Sequence, residues 1–573
     1  KAVGSDYFSV DLKTTLRQFE EADNFGSLIR PVLTDLSDIQ SRIETTDTSG
    51  NFALYQAKQK AITALKQAEY LSSRYHVVVA NPPYMGGKGM NPRLGSWAKD
   101  NFPDSKSDLF AMFIERGSEL AISKGLCALV TMQSWMFLST YNQLRGKVLN
   151  DQYISTLIHI GYNSFPELNS KVAQACAFVL KNCFATINGH YIDLNDVPQS
   201  ANKHSVFLNK IAKKSFFAAS ASDFKKIPGS PIAYWATDKQ RDIFVSVPKL
   251  SSWVPVKQGL ATADNSRFVR FWYEVSNNSI NYNCKDTKET EGFDFKWYPY
   301  NKGGDFRKWY GNLEYVVLWE NNGHEIRNFS DETGYIRSRA QNAEFYFKPG
   351  VTWTFISSSK FGVRYSPSGQ IFDVAGSSAF PPETLSKGLT AYLASNLAWN
   401  LLKIMNPTLN FQVGNISTLP ISKDLLSSTI SQLAENVIEN TKNDWDAYET
   451  SWNFLFNPLL VSSFNDKSLI QQYQKIKEYW SNLVSKTQQL EEGINSKISE
   501  AFNIESEIES DVKINDVTLT CNPYYRYGEK KSESELEALQ LTDTIREFMS
   551  YSVGCMFGRY SMDEPGLILA NQG

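Results

Sequence analysis

Long apolar runs, clustered cysteines and metal-ligand spacings are all missing from this sequence of 573 residues. No stretch reaches the ~18 apolar residues of a membrane span, and no signal peptide is recognisable. The six cysteines are scattered and form no Cys-x-x-Cys pair, which argues against a zinc site or a disulfide framework. The five histidines likewise lack metal-ligand spacing. These absences predict a cytoplasmic protein without a bound metal.

A strong excess of one charge is also missing, since the formal net charge is −3. A nucleic-acid-binding protein needs only a basic face, so this value neither supports nor excludes such a partner. The length is too great for one hydrophobic core and predicts three or four domains. Because the chain starts at Lys1 without a methionine and stops in mid-pattern at Gly573, we expect an internal piece of a longer protein.

Residues 1–70 and 71–234 together predict an α/β fold. The first segment has the three- and four-residue apolar spacing of helices, including one from Ala53 to Tyr70. In the second, β-branched runs alternate with amphipathic helices, which indicates a parallel or mixed sheet with helices on its faces. The predicted elements there are a buried strand at 75–80, a helix at 107–118, a strand at 125–131, a helix at 139–148 and strands at 153–160 and 173–180.

The pattern changes near residue 235. Short aromatic and β-branched runs between turn residues predict a mixed α+β domain over 235–421. Residues 422–573 are predicted to form a helical spacer, from Lys423 to Ile508, and a C-terminal segment. Within 235–421 the predicted elements are strands at 268–275, 315–319 and 351–356 and one long helix from Leu385 to Met405.

Asn81-Pro82-Pro83-Tyr84 directly follows the predicted strand at 75–80 and carries the clearest chemistry. The exocyclic amine of adenine is a poor nucleophile because its lone pair is delocalised into the ring. Two acceptors, the Asn81 side-chain oxygen and the Pro82 carbonyl, could localise that pair and aim it at an electrophilic methyl group. The prolines fix the backbone, and Tyr84 offers a flat face to a base taken out of the duplex. The alternative is a simple strand-ending turn.

Three motifs in this order resemble those of amino-group DNA methyltransferases: Asn81–Tyr84, the Asp108-Leu109-Phe110 helix start, and the strand from Gly125 that leads into Gln133-Ser134-Trp135. The longer string 80–91, with 259–265 and 554–560, is similar to the PglX family of adenine methyltransferases from BREX phage-exclusion systems. The resemblance implies a catalytic role for Asn81, Pro82, Pro83 and Tyr84, and it implies S-adenosyl-L-methionine as cofactor. It also implies double-stranded DNA as substrate, with Lys88 as a DNA contact, and other phage-defence proteins as partners.

Such enzymes bind S-adenosylmethionine at a Gly-rich strand-to-helix turn, and no such turn precedes Asn81. We therefore expect residues 71–234 to be only the C-terminal half of a Rossmann-like methyltransferase sheet, with the cofactor motif N-terminal to Lys1. The alternative is a permuted order in which Gly376, within Phe372–Ser378, supplies the turn. A lone glycine is a weak signal for such a site.

The end of the 235–421 region resembles target-recognition domains, with a helix, the step Asn410–Gly414 and the exit Leu419–Ile421. Upstream, the stretch 296–310 interleaves basic and aromatic residues, and Gly303 and Gly304 would let a backbone approach phosphate closely. The alternative is a β-hairpin with a solvated basic side. The predicted phosphate contacts are Lys296, Lys302, Arg307 and Lys308, and the weaker candidates for base contacts are Arg267 and Arg270.

The sequence thus predicts a site-specific DNA methyltransferase that modifies the N6 amine of adenine. One alternative is a specificity or docking subunit of a defence complex with little catalysis. Another is a fused restriction-methylation enzyme whose nuclease lies outside this chain. The intact motif favours the enzyme over the docking protein, and Asp294-Phe295-Lys296 lacks the upstream acid that a nuclease site needs.

Overall fold

A six-stranded mixed sheet lies at the centre of the first part of the chain in a computed structural model. The chain divides into two compact units, Lys1–Arg241 and Asp242–Gly573. The structure describes residues 10–164, 174–198, 200–292, 294–355, 360–407, 410–460 and 468–568.

The helices and strands of the first unit alternate, as the sequence predicts. Their bounds are α1 Val10–Gln18, α2 Ala22–Phe25, α3 Ser37–Thr45, α4 Phe52–Ser72, β1 Tyr75–Ala80, α5 Pro92–Asn101, α6 Leu109–Leu120, β2 Ala121–Met132, α7 Asn142–Asp151, β3 Tyr153–Gly161, β4 Ala175–Lys181, β5 Gly189–Asp193, α8 Lys203–Ala212, β6 Phe217–Ala219 and α9 Ala221–Lys225, with α10 Asp238–Ser246 at the boundary between the units. The strand predicted at 173–180 includes Ala173, which lies outside the described residues.

The strand order in this sheet is β1-β2-β4-β3-β5-β6. Strands β1 and β2 are parallel, with Ala80 opposite Leu129, and β4 lies antiparallel between β2 and β3. Strands β1, β2 and β3 therefore point the same way, and their carboxyl ends meet at one edge. The prediction of a mixed α/β architecture is confirmed.

Helices α6 and α7 cover one face of the sheet. Phe110 and Ile114 from α6 and Leu149 from α7 are buried with Leu157 and Phe178 of the sheet. Helices α1–α4 pack on α5 and α6 in a second core that includes Leu12, Leu65, Phe102 and Met112. The buried Arg116 side chain ties these layers together, because it donates to the carbonyls of Ile29 at 2.9 Å and Leu71 at 2.7 Å.

Strand β1 was predicted to be buried, and this is wrong. The Val77 and Val79 side chains are 56% and 75% exposed. Two physical reasons combine: β1 is an edge strand paired only with β2 in the described part of the chain, and the sheet face to which these valines point is uncovered there. The same face forms a shallow apolar groove of about 200 Å³, lined by Ala128, Val130 and Ile158 among others.

The second unit contains two four-stranded sheets, with the orders β13-β9-β10-β8 and β12-β11-β14-β7. Its start and the exit segment Leu419–Ile421 lie side by side, because Leu250 N donates to Leu419 O and Ile421 N donates to Pro248 O, both at 2.8 Å. The bounds are β7 Val256–Lys257, α11 Asn265–Phe268, β8 Val269–Phe271, β9 Trp297–Asn301, β10 Tyr315–Leu318, α12 Glu320–Arg327, β11 Gly350–Trp353, β12 Val363–Ser366, β13 Ile371–Phe372, β14 Ser378–Ala379, α13 Glu383–Ala394, α14 Asn396–Met405, α15 Val413–Ser417, α16 Ser428–Asp446, α17 Leu469–Ala501, α18 Pro523–Tyr527 and α19 Glu533–Met556.

The helix predicted over 385–405 is two helices, α13 and α14. Ser395 adopts an extended conformation, with ψ of 158°, and its hydroxyl caps α14 by accepting from Ala398 N at 3.2 Å. The run predicted as a strand at 268–275 is likewise shorter, because only Val269–Phe271 pairs with β10. The strand predicted at 351–356 is β11, and Ile356 lies outside the described residues, as do Thr408 and Leu409.

Where the structure describes the chain, no helix combines the length and the apolar character that crossing a membrane requires. The same residues contain no group of three or more His, Cys, Asp or Glu side chains that could hold a metal ion.

Candidate active site and nucleic-acid interface

Asn81 and Pro82 lie at the carboxyl end of β1, on the edge where β2 and β3 also end. Asn81 is exposed, Pro82 is buried and Pro83 is exposed. Within the described ranges, neither the Asn81 side chain nor the Pro82 carbonyl takes part in a hydrogen bond. The two oxygens that the sequence assigns as acceptors are therefore both without a hydrogen-bond donor among the described residues.

Tyr84 is half-buried behind these acceptors. Its ring meets the Phe110 ring edge to face, with centroids 6.2 Å apart, and its hydroxyl is 3.5 Å from Val130 O. Burial raises the pKa of Tyr84 to about 12, so the phenol stays neutral at physiological pH. The ring is thus positioned as an apolar surface and not as a base.

Asp108 holds the loop that follows Tyr84. One carboxylate oxygen accepts from Met85 N at 3.0 Å and from Phe110 N at 3.3 Å, so it joins the loop to the first turn of α6. Leu109 N donates to Met85 O and Gly87 N to Ser107 O, both at 3.1 Å. The sequence placed Asp108 in a family motif without assigning this contact, because hydrogen bonds between segments 23 residues apart leave no periodic signal.

A buried polar network lies at the same edge of the sheet. His159 Nδ1 is 2.9 Å from the Tyr234 hydroxyl, and His159 Nε2 is 2.6 Å from Gln133 Oε1. Burial lowers the pKa of His159 to about 4, so the imidazole is neutral and both of its nitrogens are satisfied. His159 is thus a core residue, as its apolar strand suggests, while its contact with Gln133 could not be predicted because the two residues lie 26 positions apart.

Three of the predicted DNA-contacting lysines are available at the surface to different degrees. Lys88 is exposed in the loop between Gly87 and Gly89, and Lys296 is exposed just before β9. Lys302 is half-buried, with its ammonium 4.8 Å from the centre of the Tyr315 ring. All three remain candidates for phosphate contacts.

Arg307 and Lys308 are placed differently, because both side chains are buried. Arg307 pairs with Asp444 of α16 at 2.9 Å, and Lys308 pairs with Glu491 of α17. The same Asp444 carboxylate also accepts from the backbone N–H of Cys521 at 2.9 Å. The charges of Arg307 and Lys308 are neutralised inside the second unit, so we remove both residues from the predicted DNA-contacting set.

The glycines that were assigned to phosphate or cofactor approach serve internal packing. A Cβ atom at Gly303 would lie 2.7 Å from Ala375 O, and one at Gly304 would lie 2.8 Å from the Asn312 amide. Gly376 stands in a turn between two strands, β13 and β14, where a Cβ would lie 2.3 Å from Asn301 O. Since no helix starts at this turn, the alternative cofactor turn at Gly376 is wrong.

Arg267 and Arg270 differ in how freely they can reach a ligand. Arg267 is exposed and pairs with the equally exposed Glu325 at 3.2 Å. Arg270 is half-buried, donates to Val269 O at 2.8 Å, and lies over the Trp297 ring at 5.9 Å. A salt bridge between two exposed side chains is weak, so Arg267 can exchange its partner for a base or a phosphate.

Residues 8–165, which include the Asn-Pro-Pro-Tyr segment and the first strands of the mixed sheet, match the model of the Eco57I restriction-modification methylase family. Over 98% of its length the chain is 36% identical to the adenine-specific methyltransferase BrxX of Escherichia coli O9:H4 (strain HS), and it covers 45% of that protein. Over 99% of its length it is 33% identical to the adenine-specific methyltransferase PglX of Lacticaseibacillus casei (strain Zhang), and it covers 47% of that protein.

The resemblance to the PglX family is thus confirmed, and the chain spans about half the length of the curated relatives it matches. A solved structure of the type IIL restriction-modification enzyme MmeI in complex with DNA aligns with a TM-score of 0.44 and 12% identity, over 85% of this chain and 58% of that one.

Proposed function

We propose that this chain supplies the target-base half and the DNA-reading part of an S-adenosylmethionine-dependent adenine (N6) DNA methyltransferase. The observation that carries the proposal is the pair of unoccupied acceptors, Asn81 Oδ1 and the Pro82 carbonyl, on a loop clamped by Asp108. Two fixed acceptors localise the lone pair of an exocyclic amine. The nitrogen then becomes a better nucleophile than it is in water. The role in phage defence rests on the family resemblance alone.

In this mechanism Asn81 and Pro82 bind the two amine hydrogens of an adenine that has left the helix. Tyr84, neutral and apolar, contacts the face of the base, and the proline backbone keeps the acceptors in place without a loss of entropy on binding. S-adenosylmethionine, when bound, supplies an electrophilic methyl group. Once the amine carries the methyl group, it loses one of its two hydrogens as a proton to water. Alignment and electrostatics therefore provide the catalysis, and no group with a pKa near neutrality is required next to Asn81.

The open edge of β1 indicates where the cofactor half would attach. Val77 and Val79 present apolar side chains on a face that no described residue covers, and parallel strand pairs such as β1 and β2 are ordinarily covered on both faces. Further strands beside β1, with their helices over that face, would complete the sheet and bring a Gly-rich turn to the edge where Asn81 lies. The two unpaired acceptors fit this arrangement, because they directly follow β1, the strand at the open edge of the sheet.

The catalytic assignment is tested by methyl transfer to DNA in a longer chain that includes the proposed cofactor half. Transfer of a radiolabelled methyl group should be abolished by Asn81→Ala, while binding of duplex DNA stays within about twofold, because only amine alignment is lost. The matched control is Asn51→Ala, since Asn51 caps the distant helix α4 by accepting from Leu54 N at 2.9 Å. Normal transfer by Asn81→Ala would overturn the assignment.

The DNA-reading assignment is tested on exposed Lys296 and half-buried Lys302. Replacing Lys296 and Lys302 by alanine should weaken binding about equally for different duplexes, because phosphate contacts carry no sequence information. The slope of log affinity against log salt should flatten by roughly one unit per lost contact. Fluorescence anisotropy across a salt series measures both. Unchanged affinity and slope would show that this surface does not meet DNA.

The docking alternative, in which the chain reads DNA but methylates little, is disfavoured by the same acceptor pair. A protein selected only for docking has no need to leave Asn81 and the Pro82 carbonyl unpaired at a sheet edge. The assay above separates the two cases, because a docking protein would bind duplexes in the anisotropy measurement and transfer no methyl group.

A further inference from the structure

A hairpin over residues 329–341, in the second unit, carries exposed side chains that the proposed function has not used. Its arms are joined by a bridge between Ser330 and Ile336 and by the hydrogen bond from Arg337 N to Phe329 O at 2.9 Å. The turn is closed by Gly334, whose φ is +81°, a value that favours glycine. This is an ordered projection and not a frayed loop.

The base of the hairpin is fixed to the rest of the unit at several points. Arg339 N donates to Ala261 O at 2.8 Å, and Ala261 N donates back to Arg339 O at 3.0 Å. The buried Ser338 hydroxyl donates to Ile326 O, and the Gln341 amide donates to Gly259 O at 2.8 Å. The backbone is therefore rigid, and it holds the side chains of the hairpin at constant positions.

What it displays is two apolar and two cationic side chains. Tyr335 is 71% exposed and Ile336 is 51% exposed. Arg337 and Arg339 are exposed on either side of buried Ser338, which puts both guanidinium groups on the same side of the arm. Against the described residues, neither guanidinium forms a hydrogen bond or an ion pair.

The charges of the hairpin are separated along its length. Its two carboxylates, Asp331 and Glu332, lie at the turn, and the arm from Thr333 to Gln341 has two arginines and no carboxylate. At the tip, the exposed Asp331 carboxylate accepts from Thr333 N at 2.9 Å and Tyr335 N at 3.2 Å, and its pKa is lowered first by the hydrogen bond from the Thr333 side chain and also by the charge of Arg337. Arg267 lies at the base of the hairpin, 5.4 Å from the centre of the Phe329 ring.

We propose that this hairpin enters a groove of duplex DNA, with Arg337 and Arg339 reading base edges and Tyr335 and Ile336 packed against bases or sugars. Arginine is the side chain that reads guanine through two hydrogen bonds, and exposed apolar side chains beside arginines are the means by which proteins wedge into a groove. The proposal rests on the proposed DNA-reading role of the second unit. It names the element that determines which sequence is read.

The test uses the 573-residue chain and a pool of duplexes with a randomised centre. Duplexes bound by the wild-type chain are sequenced, and anisotropy then measures affinity for the selected duplex and for a scrambled one. The double variant Arg337→Ala/Arg339→Ala should lose at least about tenfold in affinity for the selected duplex and little for the scrambled one. Arg337→Lys/Arg339→Lys keeps the charge but not the paired donors, so it should also fail to discriminate.

The matched control is Arg546→Ala, an exposed arginine of α19 in the same unit, which should change neither affinity. Thermal melting of each variant checks folding, and because the exposed side chains of Arg337 and Arg339 form no internal pair, no shift is expected. If the wild-type chain selects a sequence and the double alanine variant selects the same one with the same affinity, the hairpin proposal is overturned and the DNA-reading role stands. If the wild-type chain selects no sequence, both are overturned.

Discussion

Asn81 and Asp108 have different tasks beside the same loop. Asn81 leaves its side chain unpaired for a substrate, while Asp108 uses one oxygen to accept from both Met85 N and Phe110 N. Burial raises the pKa of Asp108 above its usual value, so the protein bears a desolvation cost to keep an acceptor there. The Asp108 carboxyl group thus joins the loop to the first turn of α6 despite the cost of its burial.

Replacing Asp108 by alanine should release the loop. We expect methyl transfer to fall at least about tenfold, because small displacements of aligned groups cost large factors in rate. Asp108→Asn keeps an oxygen acceptor at the same place and should retain most of the activity. The assay is kcat and KM in a longer chain that includes the proposed cofactor half, together with the affinity for duplex DNA, which neither change should alter.

The comparison for Asp108→Ala is again Asn51→Ala, which removes an N-cap of the same kind from α4 in the same unit. Each loss of a cap costs about 1 kcal/mol of stability. If both alanine variants reduce activity to the same extent, the effect of Asp108 is one of helix stability and the clamp has no part in positioning the loop.

At the scale of elements, the local sequence pattern predicted the bounds of helices and strands better than it predicted their burial. The strand at 75–80 begins and ends where the β-branched run predicts, and the Asn81–Tyr84 turn follows it. Its exposure could not be predicted, because burial depends on neighbours that pattern within one strand does not reveal. The break at Ser395 was not predicted because the apolar spacing continues through it. Only the capping hydroxyl marks where the second helix begins.

The uncovered face of β1 leads to a stability test. Val79→Asp should cost no more than about 0.5 kcal/mol in the 573-residue chain, where position 79 faces water. In a longer chain that includes the proposed cofactor half, the same change should cost more than about 2 kcal/mol, because the charge would be buried. Urea unfolding of both proteins measures the difference.

Val78→Asp is the control for Val79→Asp. Because Val78 packs against the covered core, this substitution should destabilise both proteins. An equally small effect of Val79→Asp in the two proteins would show that nothing covers this face.

At the scale of the whole molecule, long-range ion pairs explain why two basic residues were misassigned. Arg307 pairs with Asp444, which lies 137 residues further along the chain. Lys308 pairs with Glu491, which lies 183 residues further along. A charged stretch between turns has the same pattern whether its cations meet phosphate or a distant carboxylate. Only the folded arrangement of the second unit distinguishes Arg307 and Lys308 from their neighbours Lys296 and Lys302.

Arg307→Ala should therefore act on stability. Removing one member of a buried pair leaves Asp444 without its cation, at a cost of about 3–5 kcal/mol. Lys296→Ala, on an exposed side chain of the same stretch, should cost no more than about 0.5 kcal/mol while it weakens DNA binding. Urea unfolding and anisotropy on both variants give the comparison. A stable Arg307→Ala protein with weakened DNA binding would return Arg307 to the DNA-contacting set.

The open edge of β1 also affects the solubility of the isolated polypeptide. An edge strand presents unpaired N–H and C=O groups to any other strand that approaches, and Val77 and Val79 make that approach favourable in water. Within the strand itself, Tyr-His-Val-Val-Val-Ala, there is no lysine, proline or acidic residue to block such pairing. The isolated chain is accordingly expected to aggregate through this strand as its concentration rises, and a single lysine at position 77 or 79 should raise its solubility.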